Sequence, residues 1–144
     1  MRTAILATLL LAVSTVASLH AEKKPVQPKE FAKGGPFSPG ILADGTLYVS
    51  GQVGRDLKTN KYPESFEEEV QTCLNNINII LKEAGMGPEN AIAVNVFLTD
   101  MELFSRMNSV YVKFFPEPRP ARATVGVAKL VGTAKIEISV TARK

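Results

Sequence analysis

The segment Arg-Pro-Ala-Arg-Ala-Thr, residues 119–124, sets an arginine behind a proline-rich entry, and Glu137 follows fifteen residues after Arg122 in Lys-Ile-Glu-Ile-Ser-Val. A guanidinium in that setting offers a rigid fork that matches a carboxylate. A carboxylate held near the same ligand can move a proton. If the two segments are adjacent strands, a fixed cation and a proton-transfer group stand near one another. Taken singly, each residue has a plainer reading: Arg122 as a surface cation, Glu137 as a solvated strand residue. Asn108, one helical turn from Tyr111, reads as a helix-surface or capping residue. Ser50, before Gly51, reads as a turn residue. Gly51, Gly54 and Arg55 do not have the spacing of a phosphate-binding loop.

Composition narrows the chemistry further. The chain has 144 residues, room for one domain with a proper core. Arg2 is the only charge before Glu22, and a mostly apolar run from Ala4 to Val13 leads through small residues to Ala21. That is the pattern of a secretory signal, residues 1–21, with cleavage after Ala21 preferred over cleavage near Ser18. As a membrane span it would be short and rather polar. Its removal takes one charge from the net +3, leaving +2, and takes His20, the only histidine. The remaining chain then has no residue for a histidine-based nucleophile, ribonuclease or metal site. Cys73 is the only cysteine, which rules out an intramolecular disulfide and a cysteine-rich zinc site. The protein is expected to be periplasmic or secreted, since a disulfide-free exported chain suits a periplasm at least as well as an extracellular space. Its charges are scattered rather than clustered, so no nucleic acid partner is expected.

The elements that must position these residues can be read along the chain. Residues 22–33 read as a polar, proline-containing leader and 34–144 as the domain. Asp44-Gly45 is a hairpin turn between two apolar runs, with Thr46–Ser50 the second strand. Ser65 with Glu68 is a capping box, and Val70, Cys73, Leu74, Ile77, Ile80, Leu81 and Ala84 form the apolar stripe of a helix stopped by Gly85. Cys73 is core filler on that stripe, and Glu67, Glu68 and Glu69 complement the helix dipole. Ala91–Leu98 reads as a strand with Ile92, Val94, Val96 and Leu98 on one face. Asp100 caps a helix over about 101–114 with Phe104, Met107, Tyr111 and Phe114 buried. Strands follow at 124–129 and 135–143, the latter with Ile136, Ile138, Val140 and Ala142 inward and Glu137 outward. The order β-β-α-β-α-β-β predicts an α+β fold with two helices on one face of a mixed sheet and a partly polar opposite face suited to burial against other subunits.

Seven segments, in order, give these residues a context. They are Gly35-Pro36-Phe37-Ser38, Leu47-Tyr48-Val49-Ser50-Gly51-Gln52, Asn75-Asn76-Ile77 before Ala84-Gly85, Val96-Phe97-Leu98-Thr99-Asp100-Met101, Met107-Asn108-Ser109-Val110-Tyr111 with Phe114-Phe115, Pro120-Ala121-Arg122, and Ile136-Glu137. Through them the chain, nearly end to end after residue 21, resembles the Rid family of reactive intermediate (enamine/imine) deaminases. The resemblance implies a chorismate-mutase-like fold and a homotrimer whose sheets close into a central barrel, with a ligand cleft at each subunit interface. It implies that Arg122 grips the carboxylate of a 2-imino or 2-enamino acid and that Glu137 helps place and activate the attacking water. Phe37, Ser50, Gly51, Asn108 and Thr124 stand at its substrate-binding positions. The products would be a 2-keto acid and ammonia, with no metal and no organic cofactor.

Three positions depart from the active subgroup that the chain resembles. Phe37 stands in place of a tyrosine, Thr124 in place of a cysteine, and Leu130-Val131 in place of Leu-Pro. The expectation is imine hydrolysis with a shifted or weakened substrate preference. The alternative is a non-catalytic trimer that binds small carboxylates through Arg122. An RNA-cleaving activity, attached to parts of the family, is disfavoured by the missing histidine and the absence of a basic cluster with interleaved aromatics.

Overall fold

A computed structural model describes residues 22–144; the expected signal segment lies outside them. Six strands and two helices are present: β1 (Lys24–Val26), β2 (Gly40–Ala43), β3 (Thr46–Val53), α1 (Phe66–Glu83), β4 (Ala91–Leu98), α2 (Phe104–Phe114), β5 (Ala121–Gly126) and β6 (Ile136–Arg143). They form one sheet in the order β1-β2-β3-β6-β4-β5, parallel only between β4 and β5. Strands β3 and β4 both run antiparallel to β6, so they run parallel to each other. The connections β3–α1–β4 and β4–α2–β5 therefore step the same way across the sheet. Right-handed crossovers then place both helices on one face, where α1 and α2 pack together and α1 lies on β3 and β6. The last strand fills the gap between β3 and β4.

Local chemistry explains the boundaries. Asp44 and Gly45 both have positive φ, as a two-residue hairpin turn requires. The Ser65 side chain accepts from the Glu68 N–H and caps α1. Its hydroxyl donates to Glu67, and among the described residues the Ser65 N–H makes no bond to the Glu68 side chain, so the reciprocal arm of the expected capping box is missing. Gly85, at φ +67°, ends α1 in a Schellman arrangement: Met86 N–H donates to Leu81 O and Gly85 N–H to Lys82 O. Val70, Cys73, Leu74, Ile77, Ile80 and Leu81 are fully buried, as the stripe predicts. Cys73 donates to the Gln52 carbonyl at 3.0 Å, and burial pushes its thiol pKa well up, which fits a filler rather than a nucleophile.

Several expectations change. Lys24–Val26 of the leader pairs with β2 and Val26 is buried, so this stretch is an edge strand of the sheet. Ile92 is 51% exposed while Ala91 is buried, because a bulge between Ala91 and Ala93 reverses the inside–outside alternation there. Asp100 caps a 3₁₀ turn, Met101–Leu103, by accepting from Glu102 N–H, and α2 proper begins at Phe104. On α2 the fully packed residues are Met107, Val110 and Tyr111, with Phe104 and Phe114 only partly buried and Phe115 taking the core position. The fifth strand starts at Ala121, three residues before the expected 124. Its pairing with Ala93 and the following residues of β4 extends it backward through small residues that carry no apolar signal.

The acidic start of α1 divides into two roles. Glu67 makes a two-pronged ion pair with Arg106 at 2.6 and 2.7 Å, tying α1 to α2 on the exposed side. That pairing lowers the Glu67 pKa to about 2. Glu69 is instead buried, accepting the Lys135 N–H at 2.7 Å where the chain enters β6. Burial raises its carboxyl above the ordinary 4.5, with the Lys135 and Ile136 N–H groups opposing. The folded state thus holds the Glu69 proton more tightly than the unfolded chain does. The stability this contributes is complete below pH 4.5 and is lost as pH rises through the raised folded value. Glu69→Gln keeps an acceptor for Lys135 but does not titrate. Its stability relative to the parent should therefore improve as pH rises, read as urea midpoints at about pH 4 and about pH 8.

Candidate active site

The two residues expected to cooperate lie apart within one chain. Strand β4 separates β5 from β6, so the strands carrying Arg122 and Glu137 are not neighbours. Arg122 is level with Val94 and so with Val140, whereas Glu137 is level with Phe97. Two strand spacings of about 4.8 Å and three residues of about 3.3 Å put their Cα atoms about 14 Å apart. They also occupy opposite faces. Val94 and Val140 face the helices, and Arg122 with them; Phe97 and Glu137 face away. This corrects the expectation of a cation and a carboxylate side by side on adjacent strands.

Arg122 belongs to a cavity of about 480 Å³ formed with Asn108, Tyr111, Val112, Arg119 and Pro120. Its guanidinium donates to Asn108 Oδ1 at 2.8 Å and lies 4.5 Å from the Tyr111 ring centroid and 5.5 Å from that of Phe104. A neutral amide and two aromatic faces hold the fork in place without neutralising it. Burial raises the Tyr111 pKa, with the Arg122 charge opposing, so its phenol stays protonated near neutral pH. The Tyr111 hydroxyl and Thr124 Oγ1 are both buried with no hydrogen-bond partner among the described residues. Thr124 faces the same way as Arg122 two residues further along β5, but does not line the cavity.

Glu137 lines a second cavity, of about 550 Å³, with Phe37, Gly51, Val131, Arg55 and Tyr62 among its walls. Gly51 sits against the carboxylate so closely that a Cβ there would collide with Glu137 Oε1. The approach arises at a bulge between Val49 and Gln52 in the β3–β6 pairing. Ser50 does not line this cavity; its hydroxyl donates to Pro39 O at 3.0 Å and accepts from Gln52 Nε2 at 2.9 Å, which fixes the bulge. Phe37 and Val131 are each 67% exposed at the cavity. Gly51→Ala should displace the Glu137 carboxylate from this wall, read in a crystal structure of the variant with its thermal midpoint measured beside it to separate this from unfolding.

The structure thus gathers Phe37, Gly51 and Glu137 around one cavity and Asn108 and Arg122 around another. Residues that sequence reasoning left out of the site are Tyr111, assigned only to the helix core, Arg55, considered only for a phosphate-binding loop, and Tyr62. The aromatic faces under Arg122 were legible only as a helix stripe. Among the described residues no group of His, Cys, Asp and Glu could hold a metal ion.

A family model described as Endoribonuclease L-PSP matches residues 27–144. A RutC family protein of Aquifex aeolicus is 38% identical over 119 residues, covering 81% of this chain and 95% of its own length. The 2-iminobutanoate/2-iminopropanoate deaminase of Bos taurus is 39% identical over 109 residues, covering 75% of this chain and 80% of its own. Among solved structures, that of E. coli TdcF with bound serine superposes with a TM-score of 0.77 at 30% identity, over 84% of this chain and 99% of that one. The mixed sheet with two helices on one face is the fold of these relatives.

Proposed function

The chain belongs to the Rid, or endoribonuclease L-PSP, family, and on that premise we propose that it hydrolyses 2-imino and 2-enamino acids to 2-keto acids and ammonia. The observation that carries this reading is the division of the site. One chain holds a cavity with an unneutralised cation at Arg122 and a separate cavity with a carboxylate at Glu137, on opposite faces of its sheet. Each supplies what the other lacks, and the site is completed when a second copy brings its Arg122 cavity to this chain's Glu137 cavity. Three copies joined head to tail close such a ring. The face away from the helices supports this: Tyr48 and Val125, 54% and 47% exposed, lie there with Phe97, and closing three sheets around them would bury all three.

The chemistry follows from the two halves. Arg122, preset by Asn108 and Tyr111, takes the substrate carboxylate in a bidentate grip. Glu137 accepts a proton from water as the water oxygen bonds to the imine carbon, and the C=N π electrons move to nitrogen. The nitrogen then takes up that proton, giving the neutral carbinolamine; the carbinolamine hydroxyl next passes its proton to the nitrogen by way of Glu137, the C–N bond breaks to release ammonia, and the oxygen is left as the keto carbonyl. An enamine first takes a proton at carbon and gives one up from nitrogen, so becoming the imine. Holding substrate and water in place is the main contribution.

The family description names an endoribonuclease. RNA cleavage is the weaker reading here, since residues 22–144 contain no histidine, and intact RNA after incubation with the purified protein would close it. The signal-like residues 1–21 support export, which cell fractionation tests. The main experiment follows ammonia and keto-acid release from an imine generated in place by an amino acid oxidase. Acceleration over buffer is expected. No acceleration across several amino-acid-derived imines would overturn the deaminase reading and leave a carboxylate-binding trimer, in which Phe37 lacks the hydroxyl that a tyrosine would supply.

A further inference from the structure

The cavity that holds Glu137 also presents a cation. Arg55 lines it, across from apolar walls made by Phe31, Phe37, Leu57 and Val131. Glu137 is the only carboxylate among the lining residues and Arg55 the only lysine or arginine. Among the described residues Arg55 forms no ion pair, with Glu137 or with any other carboxylate.

The loop that carries Arg55 is held on both sides. Asn76 on α1 donates its side-chain amide to Val53 O at 3.2 Å and to Arg55 O at 3.0 Å. The Tyr62 hydroxyl donates to Val131 O at 3.2 Å, joining the far end of the loop to the opposite wall. The neighbouring carboxylate is already engaged: Asp56 Oδ1 accepts from Lys58 N–H, Thr59 N–H and the Thr59 hydroxyl at 2.9, 2.7 and 3.0 Å. These bonds lower the Asp56 pKa and keep its charge turned into the turn rather than toward Arg55.

We propose that Arg55 is a specificity residue that receives a second carboxylate, at the end of the substrate's side chain, so that the preferred substrates are acidic 2-imino acids of four or five carbons. This rests on the deaminase reading. There the α-carboxylate is taken by Arg122 of the adjoining copy and the imine carbon stands at Glu137. What remains for the rest of the Glu137 cavity is the side chain, and Arg55 is the charge it meets. A positive group there favours an anionic terminus and gives an aliphatic one nothing to pair with.

The test compares imines produced in place from glutamate and from leucine by their oxidases, with the parent protein and Arg55→Gln. The Arg55 side chain is exposed and its backbone carbonyl, not its guanidinium, holds the loop, so the variant should fold. The glutamate-derived imine should lose about fivefold to tenfold in kcat/KM, mostly through KM, while the leucine-derived imine changes less than about twofold. Equal effects on both substrates, or none on either, would overturn the assignment. If neither imine is turned over at all, the deaminase reading fails on its own, and calorimetric binding decides the role of Arg55. Glutarate binding more tightly than butyrate, with that advantage lost in Arg55→Gln, supports the acidic subsite. Equal binding of the two, or binding of neither, overturns it.

Discussion

Glu137→Gln should lower imine turnover by about 10²- to 10⁴-fold while leaving the affinity for a 2-keto acid within about twofold. The reason lies in how the carboxylate is held. It rests against Gly51, where any Cβ would push into its Oε1, and among the described residues its oxygens accept no hydrogen bond. Both oxygens are therefore free to take a proton from water. Glutamine has the same shape and keeps the packing against Gly51, but it cannot accept that proton. On the proposed reading the carboxylate is held in the Arg122 cavity, so affinity should not follow turnover down. Steady-state kinetics on an oxidase-generated imine, with calorimetry on 2-oxobutanoate, reads both quantities. Turnover unchanged within a few-fold would remove Glu137 from the chemistry.

Arg122→Ala should produce the complementary pattern: loss of ligand affinity by about 10²- to 10⁴-fold, with kcat/KM falling at least as far. Hydrogen bonds to a charged group are worth about 1.5–3 kcal/mol each, and a two-pronged grip on a carboxylate uses two. Arg122→Lys should recover little. The guanidinium plane is what lies over the Tyr111 ring while reaching Asn108 Oδ1, and an ammonium cannot do both and still present two parallel donors. Binding of a small keto acid by each variant, together with the thermal midpoint, separates a lost grip from a lost fold. If Arg122→Ala bound the keto acid as tightly as the parent, the carboxylate would have to be held elsewhere.

Much of this architecture is local, and local features were legible. Ser65, the stripe from Val70 to Leu81 and Gly85 specify α1 because capping, a 3.6-residue period and a left-handed stop act within a few residues of chain. The alternation from Ile136 to Ala142 specifies β6 for the same reason, since the pleat sends successive side chains to opposite faces. Misreadings came where partners are distant. Nothing near Ile92 announces the bulge that turns it outward, because the bulge exists only in the pairing with β6. Nothing in the leader announces that Lys24–Val26 would dock, because its partner is β2. Glu67 and Glu69 look alike in the sequence, yet one meets Arg106 at the surface and the other the Lys135 N–H in the interior.

The same division holds for the site. Seven ordered motifs were enough to single out Arg122, Glu137 and Gly51 as candidates for the site. The sequence also determined that β5 and β6 follow one another along the chain. Only the tertiary structure decided that they are not neighbours in the sheet. The last strand takes its hydrogen bonds from β3 and β4, the one gap left by two crossovers stepping the same way, and so β4 stands between Arg122 and Glu137. Register then sends the two side chains to opposite faces, because each strand position must match the face of the residue it pairs with across the ladder.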